Sequence, residues 1–483
     1  MDKKAFNWKR EFTPSPSGRV GVGLREGLGF DIIVGNPPYG AKLDNAHINY
    51  FTERYGKYGI TKRLNDTYFI FTAYFADKLL KNGGRLGFIT PNTWRLVDAA
   101  SEYRAFMLSN FNFIKIVQHA EKVFSDATVD CDTFIIEKSF LPNNKTILIK
   151  QTKKDILSYS EISQQDLNDG QFINPELSTL QRNLVAKIMA KSVLVKDILT
   201  IKNGVKPYEK GKGKPAQTAK TMLEKPFTAN YKKDKTFIPL IGGSNFNKYV
   251  NLWNDDEYIS YGEWLAAPRD ADLFFSKNEK LIFRQTSDKL IGVLIEDGFV
   301  MRNNTHIILK KNEDYDLLYI LALLNSKLLD FVYWSINPEK GEALAQVKLF
   351  HLGMLPIKQR TQKEQQQLAD LAKKMLFLHK EVQNARLYIL NHLQTVFDDK
   401  IVLNKKINNW HEHSWYDLLN ELQKQKLTFM PKQTTETQKA FEQKKREIQG
   451  LQTQIAATDQ EINGLVYQVY ELFDDEIALV EKS

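Results

Sequence analysis

The sequence feature that most constrains the fold is the stretch FDIIVGNPPY at residues 30–39. An apolar run bounded by glycine and proline predicts a buried strand. The strand must stop at Asn36, because two consecutive prolines cannot donate to a sheet ladder. In an open α/β sheet, ligands bind in the crevice beyond the carboxyl ends of the strands. The stretch therefore predicts a site that displays Asn36 and Tyr39; the alternative interpretation is an ordinary Asn-Pro-Pro turn.

Strand and helix patterns alternate in the first third of the chain. The predicted elements are a helix over residues 66–80, a strand over 85–89, a helix over 101–109, and strands over 113–118 and 133–138. This alternation is typical of a doubly wound α/β sheet.

Length and composition limit the class of protein. The 483 residues suffice for two to four domains, and 42% hydrophobic with 26% charged residues is typical of globular proteins. No run of about 18 apolar residues and no signal peptide is present, so no membrane partner is predicted. A single cysteine, Cys131, excludes an internal disulfide framework and fits a reducing cytoplasm.

Positive charge is concentrated in one region. The formal net charge is +9, and residues 191–235 hold twelve lysines against four acidic residues. This local excess suits a polyanionic partner. Within it lies a basic glycine loop that suits contacts with phosphates, the alternative being a disordered surface loop. The lysines of this loop are Lys206, Lys210, Lys212 and Lys214.

Five polar side chains further along are of the types that read base edges. Arginine pairs with guanine, and asparagine or glutamine pairs with adenine. The five are Arg284, Gln285, Arg302, Asn303 and Asn304. Asn303 and Asn304 have a second interpretation, a turn that precedes a strand over residues 305–309.

The C-terminal third is predicted to be helical. Apolar residues at alternating spacings of three and four predict a long helix with a coiled-coil-like seam over residues 367–389, and a second stripe predicts a helix over 438–472. A short helix is predicted earlier, over residues 321–329.

No metal site is predicted. Asp130 and Asp132 lack a third ligand, and we expect them to be solvated or capping residues. His411, Glu412 and His413 do not have the helical spacing of a zinc site.

The stretch at residues 30–39 closely resembles the catalytic motif of the adenine-N6 DNA methyltransferases, in particular the methylase half of type IIG restriction-modification proteins. DTYFIF at residues 66–71 and NGGRLGFITP at residues 82–91 resemble the motifs that follow it in that family, in the same order. Phrases between residues 237 and 357 look like its target-recognition domain. INGLVYQVYEL at residues 462–472 resembles the usual type IIG ending.

The resemblance implies a catalytic turn made of Asn36, Pro37, Pro38 and Tyr39. The exocyclic amine of adenine is a poor nucleophile, because its lone pair is delocalised into the ring. The Asn36 side-chain oxygen and the Pro37 carbonyl would accept its two N–H groups and draw the nitrogen toward tetrahedral geometry. Tyr39 would stack on an adenine that has been flipped out of the duplex.

Two further roles follow from the same resemblance. Phe124 would pack on the flipped base opposite the tyrosine, its alternative being a buried loop anchor. Asp66 would contact the cofactor.

The resemblance implies S-adenosylmethionine as methyl donor and double-stranded DNA as substrate. In the family, the glycine loop that binds this cofactor lies well upstream of the catalytic strand. Here the glycines at residues 18–29 follow no strand pattern and precede no helix pattern. We therefore expect another polypeptide to supply the cofactor-binding half.

The predicted architecture is α/β, with a Rossmann-like methyltransferase part over residues 1–150 that lacks the usual cofactor-binding half. A bridge over 151–190, a mixed α+β recognition domain over 191–358 and long helices over 359–483 follow. The leading hypothesis is a sequence-specific DNA adenine-N6 methyltransferase component of a restriction-modification system, without a predicted nuclease. The alternatives are a catalytically silent DNA-binding or specificity module, and methylation of a planar amide or amine in protein or RNA.

Overall fold

The computed structural model divides the chain into two compact units, residues 1–186 with 335–338 and residues 187–334 with 339–483. It describes residues 29–40, 43–64, 66–124, 130–139, 141, 143–167, 173–174, 177–275, 279–296, 298–311, 313–337 and 345–482.

The first unit is built on a mixed six-stranded sheet. Its strands are β1 (Phe30–Gly35), β2 (Leu80–Pro91), β3 (Asn112–His119), β4 (Cys131–Glu137), β5 (Lys145–Gln151) and β6 (Ile156–Ser163). Their order is β1-β2-β4-β3-β5-β6, in which β1 is parallel to β2, β3 is parallel to β5, and the other neighbours are antiparallel. The carboxyl ends of β1 and β2 therefore lie at the same edge of the sheet.

Helices cover one face of this sheet. They are α1 (Asn45–Tyr55), α2 (Thr67–Tyr74, continued by a π-helical turn over Phe75–Leu79), α3 (Thr93–Leu96) and α4 (Ser101–Asn110). Aromatic and aliphatic residues of α2 and α4, such as Tyr68 and Met107, share one core with Leu86 and Phe88 of β2. The predicted α/β alternation is confirmed, and the core explains why every second strand residue is apolar.

The edge strand β1 has one covered face and one bare face. Ile33 packs on the core, whereas Ile32 and Val34, on the other face, are 68% and 80% exposed. Within the described residues, β1 pairs with β2 alone. Natural proteins usually pair or cover an apolar edge strand. This edge thus has the properties of a surface that receives another element.

The second unit begins within α5 (Thr179–Ala190), which crosses the boundary between the units. Its strands are β7 (Val193–Leu194), β8 (Leu199–Asn203), β9 (Thr228–Ala229), β10 (Phe237–Ile241), β11 (Phe246–Asn247), β12 (Val250–Asn251), β13 (Tyr258–Ser260), β14 (Lys280–Arg284), β15 (Gly292–Ile295), β16 (Val300–Met301), β17 (Thr305–Lys310) and β18 (Pro356–Ile357). They form two four-stranded sheets, β16-β10-β13-β9 and β15-β14-β17-β8, and the pairs β11-β12 and β18-β7. One apolar core joins the two larger sheets.

Shorter helices surround these sheets. They are α6 (Val195–Ile198), α7 (Ala219–Glu224), α8 (Asp272–Phe275), α9 (Leu317–Leu324), α10 (Lys327–Ile336) and α11 (Leu349–Gly353). The single helix predicted over residues 321–329 is wrong, because the chain bends between α9 and α10. Asn325 causes the break: its side chain donates to the Gly292 carbonyl at 3.0 Å and accepts from the Gly292 amide at 2.9 Å.

Long helices complete the second unit. They are α12 (Gln362–Phe397), α13 (Lys405–Asn408), α14 (Trp415–Lys424), α15 (Pro431–Val469) and α16 (Asp474–Glu481). α12 begins at a capping box of Thr361 and Glu364 and packs along α15. Its buried residues include the predicted seam positions Leu368, Leu371 and Met375. Both predicted long helices are confirmed.

No single helix in the described ranges is long and apolar enough to span a membrane. The bent pair α9 and α10 meets the length and composition requirement only when the two are taken together. Most residues of both helices are buried in the second unit.

Candidate functional site

The turn after β1 is held in place by the start of α2. Asn36 is exposed, Pro37 is buried and Tyr39 is half-buried. The Thr67 hydroxyl donates to the Pro38 carbonyl at 2.7 Å. The predicted strand end at Asn36 is therefore found, and the turn is anchored from a second element.

Asp66 is the other anchor of this turn. Its carboxylate accepts from the Gly40 amide at 3.1 and 3.2 Å, and Gly40 has a φ of 72°, which glycine adopts without strain. The structure thus places Asp66 beside the turn; its contact with a cofactor stays a prediction.

The Tyr39 hydroxyl lies between two polar side chains. It hydrogen-bonds with the Asn36 amide and with the thiol of Cys131, the first residue of β4. Burial raises the pKa of the Tyr39 phenol and that of the Cys131 thiol, so both are protonated at neutral pH. An amide that bonds to a phenol through its NH2 group keeps its oxygen available as an acceptor.

Two acceptors are therefore presented together at the end of β1. One is the side-chain oxygen of exposed Asn36. The other is the Pro37 carbonyl, which accepts no hydrogen bond from the described residues. An amine with two N–H groups and a planar ring needs this combination of acceptors next to an aromatic face.

A buried ion pair fixes the neighbouring strand ends. Arg95 donates to both carboxylate oxygens of Asp132, at 2.5 and 3.0 Å, and both side chains are fully buried. A third guanidinium N–H donates to the Ile173 carbonyl at 2.5 Å. The expectation that Asp132 is solvated or capping is wrong, since Arg95, just after β2, takes it as a partner. The pair fixes β4 next to Cys131.

Phe124 lies in the connection after β3, beside a cavity of about 270 Å³ that is lined by His119, Lys122 and Val123 among others. The side chain is half-buried and makes no ring contact with the described aromatic residues, so its face is available. His119 hydrogen-bonds with the Thr133 hydroxyl at 2.9 Å, and burial lowers the pKa of its imidazole. A contact between Phe124 and a base stays a prediction. The glycines at residues 18–28 lie outside the described residues.

The basic glycine loop is folded. Buried Gln217 organises it: the side chain accepts from the Glu209 amide at 2.8 Å and donates to the carbonyls of Pro207 and Trp264 at 2.8 and 2.9 Å. The alternative of a disordered loop is therefore wrong. Gln217 was not among the predicted residues, and no sequence pattern marks it.

The four lysines of this loop differ in their partners. Lys206 forms an ion pair with Glu209 at 2.7 Å, and Lys214 lies 3.8 Å from Glu263. Lys210 and Lys212 are exposed and form no ion pair with the described residues. All four are positioned where phosphates can reach them.

The five predicted base-reading side chains meet at one end of the sheets of the second unit. Three of them are engaged within the protein. Arg284 donates to the Phe246 carbonyl and stacks over the Phe246 ring, and Arg302 pairs with Glu257. Asn304 accepts from the Gly243 amide at 3.1 Å.

The other two, Gln285 and Asn303, are half-buried, and their side chains form no hydrogen bond with the described residues. Asn303 and Asn304 do form the predicted turn before β17.

Comparisons with known proteins match three successive segments. The Eco57I restriction-modification methylase model matches residues 1–124, the TaqI-like C-terminal specificity domain matches 238–357, and a domain of unknown function (DUF8810) matches 361–466. The chain is type IIG-like. It joins a methylase segment, which contains the turn at Asn36, to a recognition domain, which contains the five polar side chains.

Three relatives agree with this type IIG-like arrangement. A Methanocaldococcus jannaschii protein named for a type II restriction enzyme and methyltransferase is 27% identical over 68% of the chain and 26% of its own length. A type II methyltransferase of Thermus thermophilus is 21% identical over 63% of the chain and 68% of its own length. An Escherichia coli type II restriction enzyme and methyltransferase is 31% identical over 26% of the chain and 13% of its own length. The chain thus spans about a quarter of the first relative.

Among solved structures, a type IIL restriction-modification enzyme in complex with DNA aligns with 90% of the chain and 57% of its own length, at 13% identity and a TM-score of 0.47. A type IIG restriction endonuclease aligns with 91% and 54%, at 10% identity and a TM-score of 0.30.

Proposed function

We propose that the chain is the methyl-acceptor and DNA-recognition part of a sequence-specific DNA methyltransferase in a restriction-modification system. The target is the N6 amine of adenine, and S-adenosylmethionine is the methyl donor. The observation that carries the proposal is the pair of free acceptors, the Asn36 amide oxygen and the Pro37 carbonyl, beside the Tyr39 ring. The matches to a methylase segment and a specificity domain support the same class of activity.

The geometry suits an adenine amine. The two acceptors bind its N–H groups, which takes lone-pair density out of the ring and makes the nitrogen more nucleophilic. Tyr39 supplies a stacking face for the extruded base. Its hydroxyl is held by Cys131, so the ring is oriented before the base arrives.

S-adenosylmethionine supplies an electrophilic methyl group and departs as the thioether. The described residues fit the acceptor side of this reaction. The chain contains no G-x-G-x-x-G sequence, and Asp66 is occupied with the Gly40 amide. We therefore assign most of the donor site to another polypeptide segment.

The bare edge of β1 supports this assignment. Ile32 and Val34 form an apolar surface at the strand that ends in Asn36, and the outer edge of β1 offers unpaired main-chain groups. An α/β segment that adds a strand there would cover the apolar side chains. It would also bring its own strand ends to the edge that displays Asn36.

The test is methyl transfer by the chain purified from its own host with the polypeptides that accompany it. Labelled S-adenosylmethionine and duplex DNA are incubated with this preparation, and the nucleosides are separated by mass spectrometry. We expect N6-methyladenine with the unaltered chain and none with Asn36→Ala. The matched control is Asn82→Ala, an exposed asparagine at the amino end of β2, which should retain activity. DNA binding without any methylated base would instead indicate a silent specificity module.

A further inference from the structure

We infer that Gln285 and Asn303 are the specificity-determining residues of the recognition domain, and that each reads an adenine in the target duplex. This inference rests on the proposed function, since it requires DNA as the partner. It separates these two side chains from the other polar residues at the same end of the sheets.

The first argument is that the neighbouring candidates have partners inside the protein. The Arg302 guanidinium pairs with Glu257, and Arg284 is half-buried against Phe246. Asn304 fastens the turn to the loop after β10 through the Gly243 amide. A side chain that must leave an internal partner to reach a base loses that interaction on binding, which lowers the net gain.

The second argument is that Gln285 and Asn303 have free side chains on fixed backbones. The Gln285 amide donates to the Asn304 carbonyl at 3.0 Å, and its carbonyl accepts from the Val347 amide at 2.7 Å. The Asn303 amide donates to the Val205 carbonyl at 2.7 Å. Fixed main chains lower the entropy cost of binding, and half-buried side chains without internal hydrogen bonds are free to bond elsewhere.

The two side chains also lie close together. Residue 284 is opposite residue 305 in the antiparallel pair of β14 and β17, so Gln285 follows β14 where the turn of Asn303 precedes β17. Exposed Ser244 and Thr286 lie at the same end, because Gly243 contacts Arg284 and Asn304. Together they form a small polar surface without a formal charge of its own.

The chemistry of these side chains selects the base. A carboxamide presents one acceptor and one donor side by side. Adenine presents the complementary pair in the major groove, the N6 donor and the N7 acceptor, whereas guanine presents two acceptors. The two amides should therefore specify adenine at two positions of the recognition sequence.

The test is selection of binding sites from randomised duplex DNA by the full chain, followed by sequencing. We expect Gln285→Ala and Asn303→Ala to lose the adenine preference at one position each, by roughly 5- to 150-fold, the range that corresponds to one bidentate contact. Gln285→Arg should convert its position to guanine. Gln423→Ala, which removes an exposed amide of α14, is the matched control and should leave the selected sequence unchanged.

A structural role would not produce this pattern. If the two alanine variants select the same sequence as the unaltered chain, the inference is wrong while DNA binding stands. If the unaltered chain binds duplex DNA without any sequence preference, the inference is equally wrong. Absence of duplex binding by the unaltered chain would instead refute the proposed function itself. Thermal melting of both variants should match that of Gln423→Ala, since neither side chain has an internal hydrogen bond.

Discussion

Replacement of Arg95 by alanine should strongly destabilise the first unit. The change leaves the Asp132 carboxylate buried without its bidentate partner and also frees the Ile173 carbonyl. Removal of one member of a fully buried pair costs about 3–5 kcal/mol, because the remaining charge has neither water nor a counter-ion. For a domain of this size each kcal/mol lowers the melting temperature by about 2–4 °C, so we expect a loss of roughly 6–20 °C.

The matched control is Arg85→Ala, which breaks the pair of Arg85 and Glu137 between the same two strands. Arg85 is 61% exposed, so its loss should cost at most about 1 kcal/mol. Urea unfolding followed through Trp94, whose ring is buried against Phe113, reports on the first unit. The double variant Arg95→Met with Asp132→Leu should recover most of the stability, because both charges are removed. The reasoning is refuted if Arg95→Ala costs no more than Arg85→Ala.

Three further predictions concern DNA binding, pH and the catalytic turn. Replacement of Lys210, Lys212 and Lys214 by glutamine should reduce the slope of log affinity against log salt by up to about 2.7 units, from about 0.9 per phosphate contact; an unchanged slope would exclude these contacts. Burial lowers the pKa of His379 to about 4, below its unfolded value near 6.5, so the unfolded state takes up the proton first as pH falls. Stability present above pH 6.5 should therefore decline by about 3 kcal/mol between pH 6.5 and 4, and His379→Gln should make the decline shallower in urea titrations at each pH; an equal slope in both proteins would contradict this. Asp66→Ala should lower the methyl-transfer rate about 10- to 100-fold by releasing the Gly40 amide, with DNA affinity unchanged, while Asp66→Asn should restore part of the rate.

The sequence predicts elements whose cause is local. The strand at residues 30–35 follows from an apolar run stopped by two prolines, and the two long C-terminal helices follow from their 3-and-4 periodicity. β6 was not predicted, because its alternating pattern is interrupted by polar residues and it lies in a segment that looked like a linker. The break between α9 and α10 was missed because Asn325 acts through Gly292, a residue distant in sequence.

Parts of the site depend on contacts between distant residues, which a single sequence does not reveal. Asp132 meets Arg95 across 37 positions, and Cys131 reaches Tyr39 across a sheet. Residue types identified five candidate base readers correctly as a group of neighbours. Only the structure separates Gln285 and Asn303 from the others, because that distinction depends on the partners Glu257, Phe246 and Gly243.

The central claim is that the turn at Asn36 methylates adenine in a defined DNA sequence. The most direct measurement is single-molecule sequencing of the genome of the natural host, in which modified adenines are mapped base by base, comparing the unaltered gene with Asn36→Ala at its own locus. We predict one recognition sequence that carries N6-methyladenine in the first strain and loses it throughout the genome in the second. An identical methylation map in the two strains would contradict the account.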